Sequence, residues 1–176
     1  PNNIWGLIYG EIFMNLERNT QRTREMSAIL YATYQYAFLF GKDGVGTSFA
    51  QDMSPFTKAF ESTMANAAAQ YQLSTKKPSV NVASLVAIRK AFIASWLQSE
   101  YAKQFPVHLF EFWQSIDDMN FFEAYNYWIF NQAPNDQFEK WRKDNATDFG
   151  YFVKWYNPNP IVITEENYFS RNKLLN

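Results

Sequence analysis

Residues 82–101 read VASLVAIRKAFIASWLQSEY, and their spacing decides the fold class. Val82, Leu85, Val86, Arg89, Phe92, Ile93, Trp96, Leu97 and Tyr101 recur at intervals of three and four. That is the repeat of one helix face and not the alternation of a strand. Asn81 stands directly before the stripe, where its side chain can accept from the free amides of a first turn. The pattern sustains about five turns. It should end at Phe105-Pro106, because proline keeps its predecessor out of helical geometry.

The same periodicity extends in both directions. Upstream, Ile4, Leu7, Ile8, Glu11, Ile12 and Leu16 predict a first helix, interrupted by Asn19 and Thr20. Met26, Ile29, Leu30, Tyr34, Ala37 and Phe38 predict a second, ending near Phe40 because Gly41, Gly44 and Gly46 follow. Residues 41–53 are then a long interhelical loop. Ser54-Pro55 starts a third helix, with the serine accepting from free amides and the proline losing no needed donor. That helix carries Phe56, Phe60, Met64, Ala67 and Tyr71, and its small residues between 65 and 69 admit a close antiparallel neighbour, expected to be the fourth helix.

Downstream, Leu109, Phe110, Trp113 and Ile116 mark a shorter helix. Asn120 with Glu123 and Asp136 with Glu139 have the spacing of reciprocal capping boxes. Phe149, Phe152, Val153 and Tyr156 form a last clear segment, stopped by Asn157-Pro158-Asn159-Pro160. Residues 157–176 are expected as an extended strap with a short terminal helix from Thr164.

The fold expected is therefore all-α: seven or eight short to medium antiparallel helices in an irregular bundle, one domain over residues 1–176, with no sheet larger than a two-stranded ribbon. The core should include Ile29, Leu30, Tyr34, Phe60, Val86, Trp96, Trp113, Tyr125, Trp141 and Val153. Stacked helical pairs are the variant of this architecture. Ala146, Gly150, Val153 and Pro158 fall near the second-helix positions of tetratricopeptide repeats, but Gly150 stands where that family has a large side chain. No first-helix pattern accompanies the match, and no family is assigned.

Composition narrows function mainly by exclusion. The chain of 176 residues has 16 Lys and Arg against 17 Asp and Glu, so net charge gives no general pull toward nucleic acid. It has no cysteine and a single histidine, which removes disulfides, thiolate catalysis and cysteine-ligated metals. No stretch approaches the roughly 18 apolar residues of a membrane span. A soluble protein is expected. A start at Pro1-Asn2-Asn3 instead of methionine fits a processed chain and leaves an extracytoplasmic location open.

Gly41-Lys42-Asp43-Gly44-Val45-Gly46 resembles a phosphate loop only superficially, since a working loop places lysine after the last glycine and follows a strand. His108 and Glu111 share a helix face, but one imidazole cannot supply the three or four ligands of a metal centre. Asp117-Asp118 evokes the aspartate-rich motifs of helical isoprenoid enzymes, yet no second acidic cluster accompanies it. Asn145-Ala146-Thr147 has the form of a glycosylation acceptor. No cofactor and no metal are expected.

Seventeen Phe, 11 Tyr and 6 Trp exceed what one face of each helix can hold. Rings off the primary faces can form a recognition surface, because Tyr and Trp combine contact area with a polar handle. The function expected is a non-catalytic binding or scaffold module, with Tyr125, Trp128, Trp155 and Tyr156 at its surface and a protein, a peptide or another macromolecule such as a glycan as partner. The alternative is a helical glycan-acting hydrolase, with catalytic carboxylates drawn from Glu11, Glu100 and Glu111. Such chemistry requires a desolvated acid and a second carboxylate roughly 5 to 9 Å away.

Overall fold

The computed structural model describes residues 3–168 and 170. Helix α1 (Asn3–Glu17) packs on α2 (Gln21–Ala37). Gly10 permits the approach: a Cβ there would lie 2.7 Å from the Met26 sulfur and 3.1 Å from a Leu30 methyl. Thr20 caps α2 reciprocally, its hydroxyl accepting from the Thr23 amide while the Thr23 hydroxyl accepts from the Thr20 amide.

Helix α2 stops at Ala37, short of the expected Phe40. Strands β1 (Phe38–Gly41) and β2 (Gly44–Thr47) follow as an antiparallel hairpin, Phe38 opposite Thr47 and Gly41 opposite Gly44. The first half of segment 41–53 is therefore paired, not an open loop. The tight reversal needs Gly44, whose φ of +132° disfavours a side chain. Glu61 then accepts from the amides of Phe49 and Ala50 at 2.6 and 2.9 Å, holding the chain as it leaves the hairpin.

Helix α3 (Pro55–Ser74) begins as its sequence predicts, with the Ser54 hydroxyl accepting from the Thr57 amide. It runs antiparallel to α4 (Val82–Gln98), the direction being fixed by ring contacts. Phe56 meets Trp96 at 6.1 Å, and one turn on, Phe60 meets Phe92 at 5.2 Å.

The fourth helix ends at Gln98, where the Ser99 hydroxyl turns back onto the Trp96 carbonyl at 2.7 Å. Its expected last turn becomes a separate α5 (Tyr101–Gln104). There follow α6 (His108–Asp118), α7 (Phe122–Ile129), α8 (Gln137–Asp144) and α9 (Ala146–Tyr156), which makes nine helices among the described residues.

Neither downstream capping box forms. Asn120 and Asp136 take left-handed backbone, φ +60° and +52°, which turns their side chains away from the following amides. Glu123 instead accepts from the Trp141 indole at 2.9 Å, and Glu139 pairs with Arg142. Beyond α9 the chain is extended, with Ile161 buried and a turn at 165–167 in which the Asn167 side chain accepts from the Thr164 amide. The rest of the expected terminal helix lies outside the described residues.

The buried apolar side chains form one contiguous cluster centred on Phe60, Phe92, Trp96, Phe110 and Trp113. Phe110 lies 5.1 Å from both Phe92 and Trp113. Ile29 is not part of it, being 56% exposed. The buried line of α2 runs through Ser27, Leu30, Tyr31 and Tyr34, and one residue of helix rotation carries Ile29 to the outside. Val86, Trp141 and Val153 sit at the margin, half-buried against the cluster. No helix among the described residues is long and apolar enough to cross a membrane.

The contrast within α2 is measurable by urea unfolding. Leu30→Ala should cost about 2–5 kcal/mol through a cavity and lost transfer energy, whereas Ile29→Ala should stay within about 0.5 kcal/mol.

Candidate functional site

Helix α1 presents Glu11 on its inward face, and α4 presents Arg89 on the face that carries its apolar stripe. The two meet in the interior, their side chains 2% and 0% exposed. The Arg89 Nη2 donates to both carboxylate oxygens, to Oε2 at 2.7 Å. Oε1 also accepts from the Trp113 indole at 2.6 Å and the Tyr125 hydroxyl at 2.7 Å. The second guanidinium nitrogen donates to Asn126, whose own amide is tied to the Phe122 carbonyl at 2.7 Å.

A further branch continues the network toward α9. The Asn15 amide donates to the Tyr125 oxygen at 2.8 Å, and Tyr156 donates to the Asn15 carbonyl oxygen at 2.6 Å. Five helices thus converge on one polar centre.

Aromatic rings enclose the cation. Its carbon lies 4.1 Å from the centre of the Trp113 ring and 5.1 Å from that of Phe130. Burial is the largest single influence and works against its charge, but the Glu11 carboxylate together with the Tyr34 and Tyr125 phenols more than offsets it and holds the Arg89 pKa above its ordinary value. Burial, reinforced by the Glu11 charge, pushes the Tyr125 phenol well up. Tyr34 and Tyr156 are raised in the same direction, first by burial.

The three glutamates considered for glycosidic chemistry do not assemble. Glu11 is fully engaged by nitrogen and phenol donors, and the space between it, Tyr34, Phe60 and Trp113 has no room for a water-sized sphere. Glu100 is exposed and pairs with Lys103 at 3.0 Å. Glu111 is exposed and pairs with His108 at 3.0 Å, at the start of α6. Asn145 uses its side-chain amide on the Trp141 carbonyl at 2.9 Å, closing α8. Among the described residues no three His, Cys, Asp or Glu side chains converge as a metal site would require.

Of the four aromatics expected at a surface, Tyr125 and Tyr156 are interior residues and Trp128 is 7% exposed. These three do come together, Trp128 lying 5.1 Å from Tyr156 and 6.1 Å from Tyr125. They face inward because their polar atoms find partners there. Trp155 is half-buried and packs on Phe121 at 5.6 Å. The four therefore do not form one exposed aromatic surface.

One edge of the cluster does reach solvent. A cleft of about 330 Å³ opens beside Trp128, between the first turn of α2 and the α8–α9 pair. Phe138 and Phe149, 5.4 Å apart, line it with Trp128; Asn19, Asn131 and Gln132 supply amides. Arg24 and Arg142 flank it, together with Glu139.

Local backbone geometry shapes both walls. Arg18 and Asn19 are consecutive left-handed residues that reverse α1 into α2, and Asn19 receives the Trp128 indole at 3.3 Å. Asn135 and Asp136 are a second left-handed pair, before α8. Of the residues named here along the cleft, Trp128 was expected at a surface; Arg24, Phe138, Phe149 and Arg142 were not, because helical periodicity does not reveal which outer faces of different helices will adjoin.

Two measurements check the polar centre. Glu11→Gln and Arg89→Met should each cost about 3–5 kcal/mol by stranding a buried partner, and the double substitution should cost less than their sum. Tyr34, Tyr125 and Tyr156 have folded pKa values above the unfolded value of about 10. Their contribution is full below that pH and is lost as pH rises beyond it. Urea stability should accordingly fall through this alkaline range, together with the appearance of phenolate absorbance.

Comparison of the chain with protein-family models, curated proteins and solved structures yields no match.

Proposed function

We propose that this protein is a non-catalytic helical recognition module, and that it receives a short peptide segment in the cleft beside Trp128. The observation that carries this reading is the cleft's composition: aromatic edges from Trp128, Phe138 and Phe149 adjoin side-chain amides and guanidinium groups. Its volume of about 330 Å³ lies at the lower end of the range for ligand sites. That space suits a few side chains of an extended segment. Aromatic surface supplies the apolar contact, and the polar groups around it fix orientation, the division of labour common in such sites.

The walls also favour preorganised binding. The Asn131 amide donates to the Trp128 carbonyl at 2.7 Å, and the Gln132 backbone amide donates to Ser27 at 3.1 Å. The first bond closes the end of α7 and the second holds that end against α2, so little ordering is left for the moment of association. Hydrolysis by Glu11 gains no support from the position of that residue, whose oxygens are occupied and whose surroundings are closed to water.

The reading is tested by selecting a random peptide library on the immobilised protein and repeating the measurement with Gln132→Trp, which fills the cleft from an exposed position. Selected peptides should bind the unmodified protein and lose at least about tenfold in affinity, about 1.4 kcal/mol, on the variant. Peptides that bind both proteins equally, or the absence of any selected peptide, would remove this cleft as the recognition site.

A further inference from the structure

We infer that the cleft selects an acidic peptide, taking a carboxylate between Arg24 and Arg142 while a neighbouring apolar side chain lies against Phe138 and Phe149; this rests on the peptide-recognition reading above. The charges lining the cleft are two guanidinium groups and one carboxylate, Glu139, which leaves one positive charge in a chain whose net charge is -1. The positive character is thus local to the cleft and does not follow from the chain as a whole.

The two arginines have different roles in this arrangement. The exposed Arg24 makes no ion pair among the described residues. It stands at the end of the first turn of α2, close to the positive end of that helix's dipole, which adds to the attraction for an anion. Arg142 is held by Glu139 at 2.6 Å and lies 5.3 Å over the Phe138 ring. Only one of its nitrogens contacts Glu139, and a guanidinium has five N–H donors, so it can join Arg24 on an incoming carboxylate.

Peptide fits this pattern better than nucleic acid does. A phosphate backbone presents repeated charge and calls for a series of cations. Here two guanidinium groups stand with Glu139, a single net positive charge, and that carboxylate would repel a second anionic group. One carboxylate beside one apolar side chain matches both the charge and the aromatic lining.

The test uses the peptides selected from the unbiased random library described above. Enrichment in Asp or Glu next to an apolar residue is expected. Arg24→Gln should weaken those peptides about fivefold and the pair Arg24→Gln with Arg142→Gln more than about tenfold, with salt weakening binding in parallel. Glu139→Gln should strengthen binding about twofold or more, because it releases Arg142 and removes the cleft's carboxylate. That gain is a readout that simple destabilisation cannot imitate.

Peptides that depend on the cleft, judged by their loss on Gln132→Trp, but show no acidic enrichment and no response to Arg24→Gln would overturn the charge inference alone. Failure to select any cleft-dependent peptide would overturn both it and the recognition reading.

Discussion

The buried pair of Glu11 and Arg89 is the interaction around which the rest of the molecule is arranged. Moving both ions out of water costs several kcal/mol each, and their attraction offsets this only where further hydrogen bonds saturate them. Here the carboxylate accepts from Trp113 and Tyr125 as well as from the guanidinium, and the guanidinium reaches Asn126. Each of these side chains comes from a helix that must be in register for the bond to form. Among the described residues the Arg89 Nε has no hydrogen-bond partner, so the cation is ringed by aromatics without complete saturation. An apolar core of the same shape could be as stable. What the polar centre adds is a penalty for any alternative packing of α1, α4, α6, α7 and α9.

The aromatic surplus has the same explanation. Rings fill the space around the ion pair in edge-to-face, tilted and stacked contacts, arrangements favoured by their quadrupoles. Tyr and Trp are preferred where the network needs a donor at the end of an apolar body: Trp113 and Tyr125 on Glu11, Tyr156 on Asn15. Composition rich in aromatics is therefore mostly interior material, although Tyr9, Tyr36, Tyr101 and Tyr151 are exposed and the outer edge of the Trp128 cluster reaches solvent.

That edge becomes a cleft through chain reversals. Left-handed Arg18 and Asn19 bring α2 back along α1, and left-handed Asn135 and Asp136 redirect the chain into α8. Asparagine and aspartate tolerate this conformation better than most side chains do. The Tyr127 ring stacks on Trp141 at 4.5 Å and 9° and anchors α8 to α7, so the far wall stands at a fixed distance from the first turn of α2.

Sequence alone was enough for the helices, because the period of apolar residues and the caps at Ser54 and Asn81 are local properties of the chain. It also carried a trace of the centre, since Glu11 and Arg89 are oppositely charged residues on otherwise apolar faces. Their pairing was not legible: the partners are 78 positions apart, and periodicity assigns a face without saying what lies opposite. The same limit explains why Trp128 and Tyr156, and Tyr125 despite its place in the expected core, were assigned to a surface although all three lie inside and adjoin one another. A ring is free to meet solvent in an isolated helix, but in the bundle Glu11 and Asn15 of α1 accept from the Tyr125 and Tyr156 hydroxyls, and Asn19 accepts from the Trp128 indole. Tertiary structure alone decided Ile29's exposure, the hairpin after Ala37 and the joining of Arg24 with Arg142. Each depends on which helix faces pack together, and burial of the Glu11–Arg89 pair makes one such packing much better satisfied than the rest.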